Sequence, residues 1–291
     1  MKMMQMPRKP VLLAVSLVLA GIAALSIHVG LLALGAPFPL ARPPLWAQWL
    51  SEALIAGAVL GFLKLAGDRV DRHGLLVRVL VTLVVVMAIQ ETLRVAIMNI
   101  VVTGGWAFSM LGLLKPVIRV SILVWLCVGV ARIGSGAALA AAALAIGAVS
   151  TAGRKLGAYL LDPLLQQFAW LAQPDLYVFP YPFHVTLAAY ATFAEPVIGT
   201  VLLAALVQER LARTGVGGLL LLGTLVASIK GVVGHMLLYS AFTGPSVLIG
   251  GASWSQFVLE FIALGALVGL AWKTFGRRRV DGVPGRAVDG T

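Results

Sequence analysis

The sequence predicts an all-α fold, a polytopic helical membrane bundle of about eight transmembrane helices. Three observations carry this. The 291 residues are 60% hydrophobic and only 11% charged, with a mean hydropathy of +0.99, whereas a soluble domain is about half apolar and a quarter charged. The apolar residues fall in long blocks, which a membrane span needs and a soluble core does not. The basic residues, which give a net charge of +11, gather mainly between those blocks, as lipid topology requires.

A span needs about 20 apolar residues as helix, because lipid offers no partner for free backbone groups. Segments 11–34, 45–66, 75–102, 107–131, 136–160, 184–207, 216–240 and 254–274 meet that length. The first is too long for a signal-peptide core of about 7–15 residues and reads as an uncleaved helix. Lys115-Pro116 interrupts the fourth. The fifth, rich in Ala and Gly, suits close helix packing and is expected inside the bundle. Between the fifth and sixth, Leu164, Leu165, Phe168 and Leu171 recur at helical spacing. They predict a short helix in the outer interface, followed by a Pro-restrained extended piece.

The connections sort by charge. Lys2, Arg8, Lys9, Lys64, Arg69, Arg72, Arg78, Arg132, Arg210, Arg213, Lys273 and the arginines at 277–279 share one side, while the opposite connections are nearly free of Lys and Arg. The positive-inside rule then puts both termini in the cytoplasm of a bacterial-type inner membrane. Trp46, Trp49, Trp106, Trp170 and Trp254 fall near the opposite, outer interface, where an aromatic belt belongs. Arg154 and Lys155, near the outer end of the fifth segment, are placed to snorkel. Residues 1–275 read as one transmembrane domain and 276–291 as a mobile cytoplasmic tail.

Several features recur at an offset near 140. Thr103-Gly104 answers Thr243-Gly244, "CVGVAR" at 127–132 answers "LVGLAWK" at 267–273, and Phe38-Pro39 answers Phe179-Pro180. These matches are weak, but they are compatible with a parallel duplication of four helices per half, 1–133 and 134–275.

Ionisable residues inside a span cost about 2.5–3.5 kcal/mol each at the helix centre, so each needs a reason. At about 1.5 Å per residue, Asn99, His235, His28, Glu52, Glu260, Glu91, Arg94, Glu195 and Lys230 all lie within roughly 17 Å of the outer helix ends. The polarity is one-sided. Glu91, Arg94, Glu195, Lys230, His235 and Glu260 are the candidate substrate-binding residues. Glu91 and Arg94 are spaced to pair with each other, and Lys230 needs an acid such as Glu195 or Glu260. Pro196 frees a carbonyl one turn earlier, a feature suited to a cavity.

These features point to a polar intramembrane cavity towards the outer leaflet, in a transporter or a handler of lipid-linked substrates. The expected partners are the bilayer and a small-molecule or lipid substrate, with a homo-oligomer or complex partner left open. The alternatives are a membrane enzyme using Glu91 or Glu195 with His235 as acid and base, and a structural subunit of a larger complex. No basic patch interleaved with aromatics suggests nucleic acid. Cys127 is the single cysteine, which rules out an intrachain disulfide or a Cys cluster and suits a buried apolar position. There is no His-x-x-x-His, CxxCH, HExxH or P-loop, so no metal or cofactor is expected. Gln90-Glu91-Thr92-Leu93-Arg94 lacks the paired Glu of the CAAX-processing membrane proteases.

Overall fold

The computed structural model describes residues 9–103, 105–168, 170, 180–211 and 215–276. The Pro-restrained piece after Leu171, the tail from 277 and the basic residues at 2, 8 and 213 lie outside them. The described chain is helical: α1 (Pro10–Ala33), α2 (Leu45–Ala66), α3 (Asp68–Asp71), α4 (Leu75–Ile89), α5 (Thr92–Thr103), α6 (Trp106–Gly112), α7 (Leu114–Val130), α8 (Gly136–Gln166), α9 (Phe183–Thr192), α10 (Ala194–Leu211), α11 (Val216–Lys230), α12 (Val232–Tyr239) and α13 (Val247–Ala271). A single bridge, Ala41 with Thr243, is the only β pairing among the described residues. Six segments are long and apolar enough to cross a membrane, and two bent pairs bring the number to eight if each is one span. This is the architecture of a multi-pass integral membrane protein.

The third and seventh spans, expected to be continuous, are broken. The α4–α5 pair bends by 40° at Gln90-Glu91 and the α11–α12 pair by 71° at Gly231. The break in the fourth span falls at Leu113, so Pro116 sits in the first turn of α7, where its missing N–H costs nothing. In the sixth span, Pro196 cannot donate to Thr192, and the helix divides at Phe193.

Three expectations are corrected. First, α8 is not central. Only Ala143, Ile146, Gly147, Ser150 and Thr151 are buried, while Leu144, Val149 and Leu156 are exposed. Its small residues make one stripe against α2, where a Cβ on Gly147 would meet Ala53 N at 2.6 Å. Second, the start of the expected interfacial helix belongs to α8, while Leu171 lies outside the described residues. Leu164 and Leu165 continue α8, which carries Pro163 within it. Third, the last helix starts at Val247 instead of 254, with Ser246 Oγ accepting from Ile249 N at 3.3 Å as its cap. Trp254 therefore sits two turns inside α13.

Close glycine contacts set the centre of the bundle. A Cβ on Gly265 would meet Gly223 Cα at 2.5 Å, pressing α13 onto α11. One on Gly199 would meet Ile89 N at 2.9 Å, pressing α10 onto α4. Glu195 stands one turn before Gly199 on the same face, so that approach carries it to the α4–α5 break. At the opposite end, cations hold backbone carbonyls: Lys64 Nζ donates to Ile133 O, in the turn after α7, at 2.8 Å, Arg210 Nη1 to Lys64 O at 2.5 Å, and Arg69 to Ala205 O.

Candidate functional site

The two breaks meet, and each is bonded by a side chain from the other. The Gln90 amide at the end of α4 donates to Ile229 O at 3.0 Å, and Lys230 Nζ at the end of α11 donates to Gln90 O at 3.2 Å. Carbonyls freed by ending a helix inside a membrane need such donors. The turn at α4 is unusual because its residue is not glycine. Glu91 has φ 58°, in the left-handed region, as the glycine at the other break does at φ 92°. A left-handed side-chain residue costs roughly 1–3 kcal/mol and persists only where its surroundings hold it.

What holds Glu91 is charge. Its carboxylate takes Arg94 Nη1 at 2.5 Å on one oxygen and Lys230 Nζ on the other. The side chains of Arg94 and Lys230 are 16% and 15% exposed, and that of Glu91 only 6%. The cations also rest on aromatic faces, Arg94 over Phe193 at 5.1 Å and Lys230 over Phe261 at 5.0 Å, with the two rings 6.2 Å apart. Glu195 accepts from Leu93 N at 3.0 Å and Arg94 N at 2.5 Å, capping the N-terminus of α5 with a carboxylate. Glu260, 2% exposed on α13, lies within the electrostatic reach of Glu91, Arg94 and Lys230.

Five of the six residues picked from the sequence therefore share one layer, and the sixth stands apart. The His235 ring stacks on Tyr239 (centroids 4.6 Å apart) and tilts against Trp254 at 4.8 Å. Among the described residues no hydrogen bond joins it to Glu91 or Glu195. Lys230 was expected to find Glu195 or Glu260, but its acid is Glu91, because the breaks bring the two helix ends together.

A second group of charges adjoins the first through Gln90. Arg119 Nη1 on α7 donates to Glu52 Oε1 at 2.9 Å, Ser150 Oγ donates to Glu52 Oε2 at 2.8 Å, and Arg119 also reaches Gln90 Oε1. Sequence reasoning passed over Arg119, although an arginine within an apolar run carries the same signal as Arg94. Gln90 and Ser150, being uncharged, gave little signal. Arg154 reaches Gln48 instead of only snorkelling.

Neither of the two cavities described below is lined by the charged layer. One, about 30 Å³, lies among Ala204, Leu219 and Lys273. The other, about 810 Å³, is a lateral groove between α2 and α8 lined by Trp46, Trp49, Thr151 and Lys155. The layer is closed on itself by ion pairs. Among the described residues no cluster of three His, Cys, Asp or Glu is placed to hold a metal ion. Comparison with known proteins gave no match, neither a family, nor a curated relative, nor a solved structure. The class rests on the fold itself, a helical multi-pass membrane protein with a charged layer at two helix breaks.

Proposed function

We propose that this protein is an inner-membrane transporter whose substrate is a small organic anion bound at the paired helix breaks. The observation that carries the reading is the convergence of Arg94 and Lys230 on the single carboxylate of Glu91. A substrate carboxylate or phosphate presents the same chemistry and takes one or both cations from Glu91. The cations are pre-positioned on Phe193 and Phe261, so exchange of anions costs little reorganisation. Interrupted helices near the midplane are the usual way transporters expose backbone and charge to a substrate.

A parallel duplication gives the exchange a mechanical frame. Gln90 and Lys230, the last residues before the two left-handed turns, are 140 apart. The packing supports the same relation: α1 lies on α13 as α8 lies on α7, and α4 lies on α10 as α11 lies on α2. An axis along the membrane normal between the halves passes the two breaks, and rocking of one half against the other opens the layer. Both termini are cytoplasmic in this reading, following the basic connections.

The test is a thermal-stability screen of purified protein against small carboxylates and phosphate esters, followed by counterflow of the best labelled compound in proteoliposomes. The expected result is a compound that raises the unfolding midpoint of the wild type, leaves Lys230→Met unmoved and exchanges across the vesicle membrane. A compound that stabilises both proteins equally, or binds without exchanging, refutes the reading. The acid–base enzyme alternative is weakened by the separation of His235 from Glu91 and Glu195.

A further inference from the structure

The lateral groove between α2 and α8 shares no lining residue with the charged layer. Its shape follows from residue size. Ala148, Ala152 and Lys155 recur along one stripe of α8, at steps of four and three. The two alanines bring only methyl groups, while α2 contributes the indoles of Trp46 and Trp49. Both indoles are held in place. Trp49 Nε1 donates to Leu144 O at 2.8 Å, and Trp46 meets the Phe242 ring edge-on at 5.9 Å. Fixed large side chains opposite small ones leave a furrow of about 810 Å³, within the range of about 300–1,000 Å³ usual for ligand pockets.

The two helices run antiparallel, since Gly147 packs on Ala53, Ser150 bonds Glu52 and Arg154 reaches Gln48. Lys155 therefore stands level with the start of α2, and the alanines lead from it towards the middle of the bundle. From Ala148 to Lys155 the helix rises about 10 Å, less than half of a hydrocarbon core of about 30 Å, so the groove lies within one leaflet. It opens sideways. Trp46 is 52% exposed, and Ala148, Ala152 and Lys155 are exposed as well. Beside them Leu144, Val149 and Leu156 turn apolar side chains outward, so the medium at the opening is lipid.

The charge at the end of the groove has no counterpart in the protein. Among the described residues neither Arg154 nor Lys155 is paired with a carboxylate, and Arg154 reaches only the uncharged Gln48. Lys115, near the same end, is by contrast paired with Asp162. No acid lines the groove; apart from Lys155 its lining is apolar or, at Thr151, uncharged.

We infer that this groove binds one anionic phospholipid, with an acyl chain along Ala148 and Ala152 and the phosphate at Lys155. An acyl chain matches an apolar furrow that opens into the bilayer, and the Lys155 ammonium donates a charge-assisted hydrogen bond to a phosphate oxygen. With Arg154 beside Lys155 and no acid in the lining, the site favours a head of net negative charge over a zwitterion, whose own cation it repels. A second copy of the chain fits less well, because Asp162, an acid at this end, is already taken by Lys115. The site is separate from the transport reading and is tested without substrate or flux.

The experiment is native mass spectrometry of delipidated protein in detergent, titrated with dioleoyl phosphatidylglycerol or dioleoyl phosphatidylcholine. The expected result is a saturable one-to-one adduct with phosphatidylglycerol, about fivefold tighter than with phosphatidylcholine. Lys155→Glu should weaken that adduct by about tenfold or more, the loss of a charge-assisted hydrogen bond, and Lys155→Arg should keep it. Ala152→Trp fills the furrow from an exposed position and should abolish the adduct, with the unfolding midpoint in lipid-free detergent unchanged. Absence of a phosphatidylglycerol adduct, equal binding of the two lipids, or an adduct unchanged in Lys155→Glu or Ala152→Trp overturns the inference. A dimer that Ala152→Trp splits, with no lipid adduct, overturns it in favour of a second copy.

Discussion

The two broken helices solve one problem in different ways. The α11–α12 break turns at Gly231, a residue with no Cβ to clash at φ 92°, and no side chain caps the start of α12. The α4–α5 break turns at Glu91 in the same conformation, at a real conformational cost, and its new helix start is capped by Glu195. One break is permitted by local chemistry. The other is imposed by long-range charge, since Arg94 and Lys230 fix the carboxylate that the strained backbone presents. Backbone strain persists only where the surroundings over-determine it, and here two ion pairs and a carboxylate cap do so at Glu91.

The largest effect should come from taking charge out of the imposed break. Lys230→Met and Glu91→Gln are each expected to destabilise the detergent-solubilised protein by about 3–5 kcal/mol, because removing one partner strands buried charge. The double variant Glu91→Gln/Lys230→Met should lose less than the sum. A strictly additive cycle in denaturant unfolding would mean the two charges do not depend on each other.

At the permitted break, Gly231→Ala should cost about 1–2 kcal/mol from the left-handed backbone. Its new Cβ also comes to 2.9 Å from Ile55 Cδ1, the flexible end of that side chain. Gly231→Asn should be milder on backbone grounds, since Asn tolerates this region. If the thermal midpoints fall in the reverse order, packing against Ile55 governs this turn instead of backbone conformation.

The smallest effect concerns the cap. Glu195→Ala removes the acceptor for Leu93 N and Arg94 N and should cost about 1 kcal/mol. Glu195→Gln keeps a hydrogen-bonding oxygen and should cost a few tenths, the part due to charge at a helix start. Equal losses for the two would assign the whole effect to charge.

Much of this layer was legible from the chain because ionisable residues are conspicuous in apolar runs. Glu91, Arg94, Glu195, Lys230 and Glu260 stood out on cost alone, and the Glu91–Arg94 pair followed from spacing. His235 stood out for the same reason, yet it packs between Tyr239 and Trp254, because an imidazole serves as well as an aromatic ring. The small residues of α8 suggested burial, but only the stripe holding Gly147 is pressed on α2.

The sequence by itself determined the class of the protein and the approximate extent of its apolar helices, since those follow from hydrophobicity and the rise of a helix. The helix breaks and the choice of Glu91 as the acid for Lys230 were decided only by tertiary structure. A left-handed turn at Glu91 violates its local preference, and it is held by Arg94 beside it and by Lys230 from a distant helix.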